Sequence, residues 1–216
     1  MNVLLENLPL VGEGFLNTLS LLGLTILFAL PLGIVLAGFR ISPVASLRLT
    51  SSVFTEIFRN IPLTLIFFFM VFVVPRLGLV IPDFFVTAVI ALTLYTAPFY
   101  GEAVRSGVNS VPIGQAEAAR SLGLGFSQVL TLVVLPQAIR SVIPPIINVT
   151  IALTKNSSVA TGFFVVTLVT VVQRLVNTDP AALLWLFAGV AVCYLLITIT
   201  LGQVADRLEQ KWRVAR

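Results

Sequence analysis

Residues Glu117–Pro136 read EAARSLGLGFSQVLTLVVLP and interrupt an otherwise strongly apolar chain. The first part of this segment combines a carboxylate, an arginine, small residues and two glycines, a mixture that does not suit the interior of a lipid bilayer. We therefore expect the wider segment 112–136 to lie at a membrane surface, between apolar runs that cross the bilayer. A polar, turn-containing surface of this kind predicts a docking site for another protein.

Composition places the rest of the chain in a membrane. Of its 216 residues 58% are hydrophobic and only 10% are charged, whereas soluble domains carry about 25% charged residues. A membrane-crossing helix needs about 20 apolar residues, and five runs meet or approach that length, the fourth being too long for one straight span. These runs are Phe15–Phe39, Val53–Val74, Phe84–Ala103, Ser141–Val172 and Ala181–Ala205. We predict an all-α membrane protein with a single transmembrane domain over residues 1–216.

The basic residues predict the orientation of the chain. Lys and Arg accumulate in cytoplasmic loops, and five spans with the N-terminus outside and the C-terminus inside place nearly all of them in the cytoplasm. Only Arg76 and Arg174 then fall on outer loops. The predicted inner residues are Arg40, Arg48, Arg105, Arg120, Arg140, Arg207, Lys211, Arg213 and Arg216. The net charge of +4 thus reflects membrane topology, and we expect no nucleic-acid partner.

Local signals support the predicted ends of the spans. Asp179-Pro180 and Pro82-Asp83 are suited to opening the fifth and third helices. Ala45–Ser52 is short, polar and basic, as expected of an inner loop. No Lys or Arg precedes Arg40, so we expect no cleavable signal peptide.

A short surface helix is predicted within the interrupting segment. Gln115–Leu122 holds strong helix formers, and Gly123 can adopt the positive φ that ends a helix. A second helical piece is expected from Ser127 until Leu135-Pro136 breaks it.

Small and charged residues of this short helix suit contact with a partner. Ala118 and Ala119 allow close approach to a groove, while Glu117 and Arg120 can set orientation through charged hydrogen bonds. The predicted docking residues are Glu117, Ala118, Ala119, Arg120, Leu122 and Gly123.

The same residues resemble the EAA motif of ABC importer permeases. The motif positions are Glu117-Ala118-Ala119, Gly123, Val133, where isoleucine is common, and Leu135-Pro136. Further segments resemble permeases for polar amino acids, and the Lys-Asn form of the last of them resembles actinobacterial glutamate permeases. These segments are Glu56–Leu63, Gly101–Gly107 and Ile151–Ser158.

The resemblance implies a type I (MetI-like) importer permease in the bacterial cytoplasmic membrane. In that family the motif forms a cytoplasmic coupling helix, which sits in a cleft of a separate ATP-hydrolysing subunit. ATP and Mg²⁺ would be used by that subunit, and this chain would bind no cofactor. The resemblance also implies a second permease subunit, identical or related, and an external amino-acid-binding protein. The expected cargo is glutamate or a related acidic amino acid.

Polar residues within the apolar runs are candidates for a substrate pathway. Lys155 stands in the fourth run, where it can line a polar pathway or a gate facing the second subunit, or instead pair with a nearby carboxylate or helix carbonyl. In a pathway, its ammonium group could balance the carboxylate of an anionic substrate. The pairs Glu56/Arg59 and Glu102/Arg105 are each spaced three apart, as structural ion pairs on a helix are. The candidate pathway residues are Arg59, Asn60, Tyr95, Asn148, Thr154, Lys155, Asn156 and Ser157.

Several activities lack the residues they need. The sequence contains no phosphate-binding Gly-x-x-x-x-Gly-Lys-Ser/Thr loop, no histidine and one cysteine, Cys193. We therefore predict no catalytic residues and no zinc or transition-metal site. The alternative function is an ion-coupled secondary transporter or channel that works without ATP.

Overall fold

The computed structural model describes Val3, residues 6–79, Ile81 and residues 83–212. Regular structure in this part of the chain is helical, as composition predicts. The helices are α1 (Leu8–Ile41), α2 (Ala45–Asn60), α3 (Leu63–Leu77), α4 (Phe84–Asn109), α5 (Ile113–Ser121), α6 (Phe126–Phe163), α7 (Leu168–Thr178) and α8 (Leu183–Trp212). Pro82, Arg213 and Arg216, which enter the topology argument, lie outside the described residues.

The predicted number of spans agrees with these helices. Within the described part of the chain, α1, α4, α6 and α8 are long and apolar enough to cross a membrane. Helices α2 and α3 meet at an angle of 101° and make a fifth span if the bent pair is counted as one.

The second predicted span, Val53–Val74, is wrong as a single straight helix. The chain breaks at Ile61 because the residue before a proline is driven towards extended backbone, and Ile61 has φ −88° and ψ 131°. Ala45–Ser52 is also not a loop, since it forms the first half of α2. Its polar side chains support packing: the buried Ser51 hydroxyl donates a hydrogen bond to the Leu36 carbonyl oxygen at 2.8 Å.

The fourth predicted span, Ser141–Val172, has both ends wrong. Helix α6 starts at Phe126 and continues through Pro136, because a π turn at Val129–Val134 precedes the proline. The predicted helix break at Leu135-Pro136 is therefore wrong. Pro136 then stands at the start of the next α-helical stretch, where its missing N–H costs least.

Helix α6 ends before Phe164, a residue type that gives no helix-ending signal in the sequence. Phe164 has φ +67°, a value rare for residues other than glycine, and it separates α6 from α7. Val172 therefore belongs to α7, which Thr167 caps by accepting a hydrogen bond from the Val169 N–H.

Two glycines bring α1 and α4 into backbone contact. A Cβ atom added at Gly33 would lie 2.8 Å from the Ala97 carbonyl oxygen and 2.9 Å from the Gly101 nitrogen. Gly101 in turn faces Gly33, Leu36 and Ala37. The two helices run in the same direction and pack too closely for either glycine to gain a side chain without displacement.

Helix α6 runs against α4 in the opposite direction. Gly107 near the end of α4 faces Val142 near the start of α6, and the Tyr100 and Thr150 hydroxyls lie 2.9 Å apart. Helix α8 begins beside α7 and α1, because Leu186 and Val190 pack with the buried leucines and valines of α7. Arg40, Arg105, Arg140 and Arg207 thus share one end of the molecule, the arrangement from which the orientation was predicted.

Candidate functional site

The surface segment that follows α4 forms the predicted short helix and glycine corner. Gly123 has φ +86°, and its N–H donates to the Arg120 carbonyl oxygen at 2.9 Å. The Leu124 N–H donates to the Ala119 carbonyl oxygen at 3.3 Å. This pair of hydrogen bonds is the Schellman arrangement, in which a left-handed residue closes the end of a helix. The predictions that Gly123 takes a positive φ and ends the helix are confirmed.

The docking residues predicted on α5 divide between two faces. Ala119 is buried and faces the start of α6, beside the π turn that contains the buried Val129. Glu117, Ala118 and Arg120 are exposed. The expected close approach to a partner therefore fits the methyl group of Ala118 and not that of Ala119. Glu117 and Arg120 form no ion pair with any described residue.

Large apolar side chains surround these charges. Ile113 is 77% exposed, Leu122 83% and Phe126 69%. Ile113 and Phe126 lie outside the predicted docking set, and their apolar character alone did not separate them from the membrane-crossing runs. Exposed apolar groups rimmed by charge are typical of a protein-binding surface. The arrangement thus has the chemistry of a docking site.

A second candidate region lies between α6, α7 and α8. Lys155 opens onto a cleft of about 300 Å³, within the size range of small-molecule pockets. Ser158 and Tyr194 also line it, and the remaining walls are apolar: Val169, Val172, Phe187, Val190 and Ala191. Lys155 is exposed and forms no ion pair with any described carboxylate. The cleft therefore offers one free cation beside apolar walls.

Two neighbours of Lys155 face the protein interior. Thr154 and Ser157 are fully buried, and their hydroxyls donate to the carbonyl oxygens of Thr150 at 2.9 Å and of Thr154 at 2.7 Å. These hydroxyls are hydrogen-bonded to carbonyl oxygens of their own helix and do not line the cleft. Asn156 is half-buried.

Arg59 and Asn60 lie where α2 ends at the break before α3. The expected ion pair between Glu56 and Arg59 is absent from the described contacts, and the Arg59 guanidinium lies 5.4 Å above the ring of Phe99 instead. Such cation–π contact holds a guanidinium while leaving its edge free to donate hydrogen bonds. The Asn60 side-chain amide donates to the Glu56 carbonyl oxygen at 2.8 Å.

The two remaining pathway candidates differ in exposure. Asn148 is exposed two turns before Lys155 on the same side of α6. Tyr95 is half-buried, and its ring lies 5.2 Å from that of Phe99. The structure thus brings Asn148 and Lys155 onto one face, and Tyr95 and Arg59 around Phe99.

Sequence reasoning missed a charged cluster at the inner ends of α1 and α4. Glu102 accepts hydrogen bonds from Nε and Nη2 of Arg105 at 3.2 and 2.8 Å, which confirms this spaced pair. Arg40 and Glu102 line the same small void. The four-residue spacing of Leu36 and Arg40 places both on the side of α1 that faces α4, whereas the sequence prediction used only the charge of Arg40, to assign the orientation.

The chain is similar to known transport proteins over nearly its whole length. Residues 29–214 match the family model described as binding-protein-dependent transport system inner membrane component. The chain is 35% identical to the glutamate transport system permease protein GluC of Corynebacterium efficiens, with 96% of each chain covered. It is 36% identical to the probable glutamine ABC transporter permease protein GlnM of Bacillus subtilis, with 98% of this chain and 97% of GlnM covered. The arginine transport system permease protein ArtQ of Bacillus subtilis is 32% identical, with 94% of each covered.

Solved structures share the fold. A crystal structure of an amino acid ABC transporter with histidines superposes with a TM-score of 0.89 and 25% identity, covering 96% of each chain. An inward-facing structure of the MetNI methionine ABC transporter gives a TM-score of 0.70 at 21% identity, covering 93% of this chain and 97% of that one. The fold is therefore MetI-like.

Proposed function

This chain belongs to the family of binding-protein-dependent transport system inner membrane components, and on that premise we propose that it carries an acidic amino acid, glutamate or a close relative, into the cell. The coarser function follows directly from family membership and from relatives of nearly full length. The chain is the permease subunit of an amino-acid ABC transporter, a multi-pass protein of the cytoplasmic membrane.

The single observation that carries the proposed mechanism is the exposed surface of α5 and its glycine corner. Glu117, Ala118, Arg120 and Leu122 dock into a cleft of a separate ATPase subunit, which uses ATP and Mg²⁺. Gly123 holds the corner in shape, and Ala119 anchors α5 to the permease itself. Closure of the ATPase subunits then moves α5, and the membrane helices follow because α5 packs directly on the first turns of α6.

The proposed cargo depends on the charge of the cleft. Lys155 is a cation without a described counter-ion beside largely apolar walls. A carboxylate supplies the missing charge, and short methylene groups suit the apolar walls. The GluC relative is named for glutamate, while relatives of similar identity are named for glutamine and arginine. Lys155, and not the names of the relatives, therefore carries the choice of an acidic substrate.

The pathway is proposed to follow the exposed polar residues. Asn148 and Lys155 line it on α6, and Arg59 and Asn60 line it at the break between α2 and α3, with Tyr95 beside them. Thr154, Asn156 and Ser157 support this surface from behind. A second permease subunit completes the pathway, and an external amino-acid-binding protein delivers the cargo.

The decisive experiment is reconstitution with the neighbouring ATPase and binding protein in vesicles. We expect uptake of acidic amino acids that requires ATP and survives collapse of ion gradients. Competition by aspartate, glutamine and arginine ranks the substrates. Uptake driven by an ion gradient without nucleotide would contradict the ABC mechanism, and preference for arginine would contradict the acidic cargo.

A further inference from the structure

A carboxylate at the inner end of α4, that of Glu102, is hydrogen-bonded to Arg105, while two further arginines, Arg40 and Arg59, lie close enough to interact with its charge. Both contacts described above between Arg105 and Glu102 reach the same carboxylate oxygen, Oε2. The side chains of Arg105 and Glu102 are 35% and 24% exposed. The pair is therefore partly shielded from water, so its formation has more weight than that of a surface ion pair.

Arg40 approaches the same carboxylate from α1. Its Nη1 atom is buried and makes no hydrogen bond to any described residue. The void that it shares with Glu102 is lined also by Ser51, Thr55 and Gly101. A buried guanidinium nitrogen without a partner is costly, so this conformation leaves Arg40 with an unsatisfied donor next to a carboxylate whose Oε2 atom is held by Arg105.

The guanidinium of Arg48, unlike that of Arg40, has hydrogen-bond acceptors. Nη1 of Arg48, at the same end of the molecule, donates to the carbonyl oxygens of Ser42 and Pro43 at 2.9 and 2.7 Å. Arg40 has no such contact within the described residues.

The packing of α1 on α4 keeps Arg40 within reach of Glu102. The two backbones are in contact at Gly33, two turns before Arg40, and at Gly101, directly before Glu102. This close packing resists sliding. Arg105 lies nearly one turn closer to the end of α4, from which residues 110–112 lead into α5. Movement of α5 therefore acts on Arg105 before it acts on the Gly33–Gly101 contact.

We propose that Glu102 changes partner during transport, from Arg105 in this conformation to Arg40 in the alternative one. The ion pair thereby connects the position of α5 to the membrane-crossing pair α1–α4. This inference rests on the proposed function, since it requires a two-state cycle driven through α5. Arg40, Glu102 and Arg105 are positioning residues in this scheme and touch no substrate.

The test compares single neutralisations that should act in opposite directions. Arg40→Gln removes the pair of the alternative conformation, and Arg105→Gln removes the pair seen here. A reporter cysteine replaces Ala152, which is exposed on α6 between Asn148 and Lys155, in a Cys193→Ala background. The labelling rate of this cysteine by a water-soluble maleimide is measured on the complex with its ATPase, in nanodiscs, without nucleotide.

We expect the two variants to shift the labelling rate in opposite directions, each by roughly tenfold, the size expected for one charge-assisted hydrogen bond. In a Glu102→Gln background, Arg40→Gln should cause no further change in the labelling rate, as a double-mutant cycle requires if the two residues act as a pair. Arg48→Gln is the matched control, because it removes one positive charge from the same end without touching Glu102, and it should leave the rate unchanged.

Shifts in the same direction, or no shift, overturn the proposal. If Arg40→Gln does not assemble, Arg40→Lys replaces it, since lysine keeps the charge but lacks the planar fork and should give a smaller shift of the same sign. Labelling needs no transport. Failure of ATP-driven uptake by the wild-type protein would therefore count against the proposed function, whereas failure of the opposite shifts counts against the partner exchange alone.

Discussion

Gly123 and Lys155 matter for different physical reasons. Gly123 adopts φ +86°, a backbone conformation that is strained for any residue with a β-carbon. The strain does not come from crowding, since nothing beyond its chain neighbours lies within 4 Å of the position that a Cβ would take. The proposed role of Lys155 depends on its charge, which no described carboxylate balances. Substitutions at the two positions should therefore separate backbone geometry from electrostatics.

Gly123→Val should weaken the coupling surface without preventing membrane insertion. A β-branched residue in the left-handed region costs about 1–3 kcal/mol, which the corner can relieve only by unfolding the end of α5. We expect ATP hydrolysis by the complex to continue while uptake falls, measured together in proteoliposomes. Gly125→Val is the matched control, because Gly125 has φ −70° and ψ 163°, values that valine adopts readily. Equal uptake by both variants would argue against a docking role for the corner.

Lys155→Met should impair acidic substrates selectively. Methionine keeps the length and apolar stem of lysine but removes the charge, so loss of a charge-assisted contact predicts a reduction of about tenfold in glutamate uptake. Glutamine uptake should change less, and the ratio of the two is the measurement. Lys211→Met, at the far end of α8, is the control for net charge. A uniform loss for all amino acids would assign Lys155 to structure.

At the scale of elements, the contact between α1 and α4 leaves no room for a side chain at Gly33. Gly33→Ala would place a methyl group 2.7 Å from the Tyr100 Cβ atom and within 3 Å of two backbone atoms. Overpacking of this kind costs about 1–3 kcal/mol, so we expect a lower unfolding temperature in detergent, followed by fluorescence-detected size-exclusion chromatography. Gly38→Ala has open space around the new methyl group and should be neutral or slightly stabilising. A thermally neutral Gly33→Ala would disprove the tight packing.

At the same scale, the break between α2 and α3 bears on the proposed pathway. The bend of 101° at Ile61 and Pro62 leaves the last carbonyl groups of α2 without helical partners. Within a membrane such groups are tolerated where they are buried in protein or line a water-filled cavity. The exposed Arg59 and Asn60 at this break therefore fit a pathway better than a lipid-facing surface.

At the scale of the whole molecule, the distribution of charge between the two ends predicts the orientation. Impermeant maleimide should label Leu79→Cys in intact cells and Ser121→Cys only after permeabilisation, both in a Cys193→Ala background. Leu79 follows α3 and Ser121 lies on α5, and both are exposed. Labelling of Ser121→Cys in intact cells would place the coupling surface outside and contradict the proposed mechanism.

The sequence by itself determined the helical membrane class, the number of spans and the position of the surface helix with its glycine corner. Each of these depends on local composition: apolar runs of bilayer length, and a polar run that ends in a glycine. Gly123 was identifiable because few other residues tolerate its φ, and the Glu102–Arg105 pair because residues three apart on a helix are neighbours.

Only the tertiary structure decided which face each residue presents. Thr154 and Lys155 are adjacent in the chain, yet one is buried and the other opens onto the cleft. The end of α6 at Phe164 and the continuation of α6 through Pro136 also escaped prediction, since packing overrides local preference there. The approach of Arg40 to Glu102 depends on the close contact of two helices far apart in sequence. Such long-range contacts arise from the mutual packing of surfaces, which no local pattern of residues encodes.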